Sequence, residues 1–317
     1  MTGISLHDLA ATQGASREEV LRGLRSPQKE LPCKLLYDEV GSELFEQICR
    51  LDEYYPTRAE MRIMRTHAQE MAARLGRGCL LIEYGSGSST KSRLLLDHLA
   101  QPAGYVPIDI AREQLEQSAA GIREAYPGLE VLPVAADYTA GFDIPASRER
   151  PRRHVAYYPG STIGNFVPDD ARRFLARMAR ECDGLLIGVD LKKDPLMLHR
   201  AYNDALGITA RFNLNLLVRL NRELGATFQV DAFRHYAFYN PVFARVEMHL
   251  VSLVDQRVRV AGVEIGFERG ESIWTEASYK YSVDDFAGLA AAAGWRLEQV
   301  WTDDRGLFSV QYLTTAA

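Results

Sequence analysis

The chain has four cysteines in 317 residues. Cys33, Cys49, Cys79 and Cys182 lie too far apart for a C-x-x-C pair, which excludes a sequence-encoded zinc ribbon or dithiol redox motif. Reduced, mostly buried thiols are expected instead, as in a cytoplasmic protein. The seven histidines form no H-x-x-x-H and no His/Cys grouping, so no metal centre is expected. No run approaches the roughly 18 apolar residues of a membrane helix. The start of the chain lacks a basic region followed by an apolar stretch, so neither a membrane partner nor a secretory signal is read. The formal charge of -5 comes without a concentrated basic face. Residues 148–153 are rich in arginine but interrupted by Glu149 and Pro151, and read as a solvated loop. Nucleic acid is therefore not an expected partner, because neutralising phosphates needs clustered cations. Repeats and low-complexity tracts are also missing, and a monomer is expected.

What the chain does have is apolar content for a large core, with 47% hydrophobic residues. It also has one organising stretch, Leu80-Leu81-Ile82-Glu83-Tyr84-Gly85-Ser86-Gly87-Ser88-Ser89-Thr90-Lys91. An apolar run ending in an acid, a Gly-x-Gly turn and a small polar segment read as a strand, a tight turn and a helix start. Such a turn lets backbone N–H groups approach a ligand.

Residues 1–15 are polar and small and are expected to be poorly ordered. Ser16-Arg17-Glu18-Glu19 reads as a capping box for a first helix, and a second carries Leu44, Phe45 and Ile48. Pro56 is expected to break that helix and Thr57 to cap the next. From residue 79 the pattern alternates: strands at 79–85, 104–110, 129–138, 154–158 and 184–191, helices at 90–100, 113–125 and 169–182. This rhythm means parallel strands with crossover helices, an α/β doubly wound sheet. After Asp194-Pro195 come two helices (196–206, 213–224). Four alternating stretches (233–239, 244–254, 257–267, 272–281) follow, expected to form one antiparallel sheet. A helix at 283–293 and strands at 296–301 and 307–313 close the chain, the last pair as a hairpin. The expected division is 60–195 with 282–317 as a nucleotide-type domain, and 1–59 with 196–281 as a second, α+β domain.

A lone Gly-x-Gly is equally consistent with a structural turn. Here the third glycine of the pyrophosphate fingerprint is missing, and Asp109 ends the next strand 24 residues after Gly85. Asp109 is suited to accept from ribose hydroxyls. Asp137, followed by Tyr138, ends the third strand, where an adenine could be held at its amine and stacked. Helix capping is the competing role for each acid. Ribose and adenine without a diphosphate, met by acids, fit cationic S-adenosylmethionine better than NAD. The closing strand pair also matches the class I methyltransferase sheet, Rossmann-like with an antiparallel last strand.

Further segments carry a resemblance. Glu53-Tyr54-Tyr55-Pro56-Thr57-Arg58, Pro159-Gly160-Ser161-Thr162-Ile163-Gly164-Asn165, Arg200-Ala201-Tyr202 and Thr275-Glu276-Ala277-Ser278-Tyr279-Lys280 are similar to the histidine-specific, S-adenosylmethionine-dependent Nα-methyltransferases of ergothioneine biosynthesis. With Tyr37-Asp38-Glu39-Val40-Gly41-Ser42 and residues 83–91, the likeness covers nearly the whole chain from about residue 30. The motif from Gly160 to Asn165 is the specific one.

The resemblance implies three methyl transfers from S-adenosylmethionine to the α-nitrogen of L-histidine, giving hercynine. It places Asn165, with Gly160, at the substrate's amino and carboxylate groups, Tyr54 and Tyr202 at the head group, and Glu276 and Ser278 at the imidazole. Met248 would pack on the ring and Tyr37 contact it. Tyr37 or solvent would take the amine proton, so Tyr37 and Asn165 are the catalytic candidates. Gly85, Lys91, Asp109, Asp137 and Tyr138 match the family's donor contacts, and Lys91 would pair with the methionyl carboxylate. Tyr84 and Tyr279 depart from the family pattern, standing where aliphatic and smaller residues are commoner. The alternatives are another amino acid, such as tryptophan, as acceptor, or a noncatalytic module binding S-adenosylmethionine or an amino acid.

Overall fold

A computed structural model describes residues 7–8, 16–87 and 89–316. The described residues divide into two compact units, one within 1–13, 58–192 and 281–317, the other within 14–57 and 193–280. Of the N-terminal stretch expected to be poorly ordered, residues 1–6 and 9–15 lie outside the described residues; His7–Asp8 form a short strand.

In the first unit the described residues form an eight-stranded sheet. Across it the order is His7–Asp8, Val134–Ala135, Gly104–Asp109, Cys79–Tyr84, Arg153–Tyr158, Gly184–Asp190, Phe308–Thr315 and Trp295–Thr302. All neighbours pair in parallel except at Phe308–Thr315, which runs antiparallel to both strands flanking it. This is the expected doubly wound sheet with a reversed last strand. Every residue of Cys79–Tyr84 and of Gly184–Asp190 is buried, as strands covered on both faces must be. Ile63, Met64, Met71 and Leu75 of the helix Tyr55–Leu75 pack into one cluster with Leu81, Tyr157, Leu186, Trp301 and Phe308.

Local departures from expectation have local causes. The strand expected over 129–138 shrinks to Val134–Ala135 with a single bridge at Val131, because Pro133 carries no N–H for the ladder. Thr57 does not cap a helix. The helix starts at Tyr55 and takes Pro56 into its first turn, where a missing N–H costs nothing.

The second unit has a four-stranded sheet in the order Lys29–Glu30, Ser272–Tyr279, Arg245–Ser252, Phe233–Asn240. The last three run antiparallel, while Lys29–Glu30 adds a short parallel edge. The stretch 257–267 is not one strand of this sheet. It breaks at Ala261 and Gly262, both at positive φ (49° and 82°), into a two-residue hairpin joining Gln256–Val260 to Val263–Phe267. That turn matches the twist of the strands it joins, so the pair forms a separate ribbon. Helices Pro195–Tyr202 and Ile208–Leu224 pack against the four-stranded sheet.

Gly188 shows how tightly the first sheet is covered. A Cβ there would overlap the Glu60 carboxylate and stand 3.1 Å from the Phe308 ring. Gly188→Ala is expected to cost about 1–3 kcal/mol through overpacking, seen as a fall of several degrees in the thermal midpoint. An unchanged midpoint would contradict this packing.

Candidate active site

In the first unit the expected donor residues gather where the parallel strands end, the crevice in which doubly wound sheets bind ligands. Gly85 and Gly87 sit at φ 76° and 46°, and Ser89 at 53°. The turn is pinned because the N–H groups of Gly85 and Ser86 both donate to the Ile108 carbonyl, at 2.9 and 3.0 Å. The Gly87 N–H donates to Asp109 Oδ2 at 3.0 Å, and the Ala111 N–H to Oδ1 at 3.0 Å. Each carboxylate oxygen has a further lone pair, so Asp109 keeps capacity to accept from hydroxyls. Burial pushes its pKa up. Asp137 accepts from the Thr139 N–H (2.9 Å) and hydroxyl on one oxygen. The Tyr138 ring meets Tyr84 and Tyr158 edge-on, 5.9 Å from each, and borders the turn: a Cβ on Gly85 would stand 3.8 Å from it. The Ser86 hydroxyl oxygen is buried beside this turn without a partner among the described residues. An unpaired buried hydroxyl there fits the approach of a polar ligand.

Beneath the turn two carboxylates are buried. Glu83 Oε2 accepts from the Ser92 and Tyr105 hydroxyls, and burial pushes its pKa up to about 7. Glu60, 1% exposed, pairs with Lys91 and accepts the Gly160 N–H at 2.9 and 3.1 Å. It thereby ties Lys91 to the loop before the turn Thr162–Asn165. Gly160 is at φ 78°, the Ser161 Oγ accepts the Asp190 N–H at 2.8 Å, and Asn165 ends the turn half-buried. The sequence reading missed Glu60. Its signal was available: an acid three and four residues before Ile63 and Met64, inside the apolar stripe of a helix.

The second unit collects the expected imidazole and head-group residues. The strand Ser272–Tyr279 is bulged between Trp274 and Glu276, so Thr275 is the extra residue, and Glu276 then pairs opposite Met248. Glu276 and Ser278 lie two apart and share a face. Glu276 is 9% exposed, and its Oε2 has no partner among the described residues. Burial lifts its pKa to about 7 against the opposing charge of Lys280. The Tyr202 hydroxyl donates to Ser278 Oγ at 2.8 Å. Lys280, 2% exposed, donates to Ser278 Oγ at 2.6 Å and to the Tyr202 oxygen at 3.0 Å. Tyr54 lies 6.2 Å from Tyr202 ring to ring, and burial, then the neighbouring Tyr202, hold its hydroxyl well above the usual range. Tyr37 stands edge-on to Phe45 and Phe212, 5.5 Å from each, and Phe45 is 6.3 Å from Tyr54. The sequence motif gave Lys280 no role; standing two residues past Ser278 it continues the same face, which was the available signal.

Chemically, the first unit presents backbone N–H groups, acids and an aromatic face. The second presents a desolvated carboxylate and a hydroxyl fed by an ammonium, walled by aromatic rings. No metal-type grouping of His, Cys, Asp and Glu occurs among the described residues, and no helix among them is long and apolar enough to cross a membrane.

The profile of one family, described as histidine-specific methyltransferase, SAM-dependent, matches residues 16–315. The chain is 43% identical over 305 residues to histidine N-alpha-methyltransferase of Mycobacterium tuberculosis, covering 93% of this chain and 94% of that one. It is 42% identical over 313 residues to the protein of the same name from Mycolicibacterium smegmatis, covering 95% and 96%. It is also 34% identical over 297 residues to ergothioneine biosynthesis protein 1 of Neurospora crassa, covering 86% of this chain and 32% of that longer protein.

The buried Glu83 makes a pH signature. Its folded-state pKa is raised from 4.5 to about 7, so between those values the folded state binds more protons than the unfolded chain. Stability therefore falls as pH rises through that window. Glu83→Gln keeps an acceptor for Ser92 and Tyr105 but removes the charge. Urea unfolding is expected to show the variant gaining on the wild type by about 3 kcal/mol between pH 5 and pH 8. A pH-independent difference would contradict the assignment.

Proposed function

The chain belongs to the histidine-specific, S-adenosylmethionine-dependent methyltransferases, and on that premise we propose that it methylates the α-nitrogen of L-histidine three times to give hercynine for ergothioneine biosynthesis. The single observation that supports this acceptor best is Glu276, a buried carboxylate with one oxygen lacking a partner among the described residues. An interior carboxylate requires a donor, and an imidazole N–H is one.

The remaining roles are those the family resemblance implies, each with a chemical sense of its own. Ser278 takes the second ring nitrogen and Met248, opposite Glu276 in the sheet, packs on the ring. Asn165 and the Gly160 segment hold the amino and carboxylate groups, because a side-chain amide both donates and accepts. Tyr54 and Tyr202 border the head group. Since the Tyr202 hydroxyl already bonds Ser278 and Lys280, its contribution there is the ring face. Gly85, Lys91, Asp109, Asp137 and Tyr138 hold the donor. When bound, S-adenosylmethionine supplies a methyl group already activated by its sulfonium. The protein's work is then alignment of the attacking nitrogen, which accounts for most of the rate gain available to such a transfer. The amine attacks in its neutral form, with Tyr37 or solvent accepting its proton.

Incubating the purified chain with isotopically labelled donor and L-histidine should give mass gains of one, two and then three methyl groups, with far less product from tryptophan. Glu276→Ala should lower histidine methylation roughly 10- to 100-fold, the worth of a charged hydrogen bond, while donor affinity stays unchanged. No methyl gain on histidine, or equal loss of donor binding and turnover in the variant, would contradict the proposal.

A further inference from the structure

We propose that Lys280 is a specificity-determining positioning residue: it fixes Ser278 as an obligate hydrogen donor, so that the pocket selects a ring presenting one N–H and one lone-pair nitrogen. This rests on the reading of Glu276 and Ser278 as the residues that meet the ring.

The direction of each bond follows from the groups involved. A lysine ammonium only donates. Lys280 therefore fills one acceptor position on Ser278 Oγ (2.6 Å) and one on the Tyr202 oxygen (3.0 Å). Between the two hydroxyls, 2.8 Å apart, Tyr202 donates to Ser278. A phenol is the more acidic and so the better donor, while its oxygen, conjugated with the ring, is the poorer acceptor. Ser278 Oγ thus accepts two bonds, which occupy both its lone pairs. Its own hydrogen is left, and it can only be given away. Two residues along the same strand face, the Glu276 oxygen without a partner can only accept once ionised. A donor beside an acceptor complements a neutral imidazole. It does not complement a pyrrole or an indole, which carry an N–H but no second ring nitrogen, nor an imidazolium, which has two N–H groups. Lys280 has no need to touch the substrate for this. Its charge, buried at 2% exposure, is the price of holding the hydroxyl in one sense.

The test is calorimetric, with the full chain saturated with S-adenosylhomocysteine. L-Histidine is compared with pyrrol-2-ylalanine and pyrrol-3-ylalanine, which keep an N–H and replace one or other accepting nitrogen by C–H. The quantity read is the ratio of histidine affinity to that of the better pyrrole. Lys280→Met should lower that ratio about tenfold, the worth of one hydrogen bond, because Ser278 Oγ then has a lone pair free to accept a pyrrole N–H. Tyr202→Phe removes the other donor to Ser278 and should lower the ratio similarly, and Ser278→Ala should abolish the effect of adding Lys280→Met. Variants that weaken histidine and the pyrroles equally would make Lys280 and Tyr202 merely structural and overturn the inference. So would a Ser278→Ala protein that keeps the wild-type ratio, a result available even where Lys280→Met fails to fold. Failure of the wild type to bind histidine at all would instead sink the proposed function.

Discussion

A carboxylate withdrawn from water must be met by hydrogen-bond donors, and three buried acids organise this protein around that requirement. Glu83 meets it with the hydroxyls of Ser92 and Tyr105 under the glycine turn. Glu60 meets it with Lys91 and the Gly160 N–H, fixing the loop that carries Asn165. Glu276 leaves its Oε2 without a donor among the described residues. The first two carboxylates shape backbone; the third, on the proposed reading, waits for the ring of the substrate.

The same constraint explains why Glu276 sits where it does. An acid buried within a strand is ordinarily costly unless a donor meets it. The bulge at Thr275 resets the register so that Glu276 stands opposite Met248, with Ser278 two residues along the same face. The Thr275 hydroxyl donates to the Met248 carbonyl at 3.0 Å, holding the bulge in place. On that face Lys280, Tyr202 and Ser278 form a network in which every bond has a sense imposed by chemistry. Fully satisfied buried networks of this kind are rigid, and that is what a selective pocket requires.

Much of this was legible in the residues. Strands alternating with helices announced a parallel sheet, and Gly85, Asp109 and Asp137 at successive strand ends announced its ligand edge. The family motifs named Asn165, Tyr202, Glu276 and Ser278 as a set. What was not legible depends on tertiary context. Pro133 erased most of a strand whose apolar pattern was sound, and Ala261-Gly262 turned an apparent single strand into a hairpin. Pro56 read as a helix breaker when it was a helix opener. Glu60 and Lys280 are charged residues whose burial no local pattern states outright; an acid within an apolar stripe was the one clue to Glu60.

The central claim is that a buried, donor-poor Glu276 and an obligate donor at Ser278 receive a neutral imidazole. The most direct measurement is the ¹⁵N spectrum of ring-labelled L-histidine bound to the full chain with S-adenosylhomocysteine. One protonated, pyrrole-type nitrogen and one unprotonated, hydrogen-bonded pyridine-type nitrogen are expected in slow exchange. Two protonated nitrogens, or a ring averaging as freely as in solution, would contradict the account.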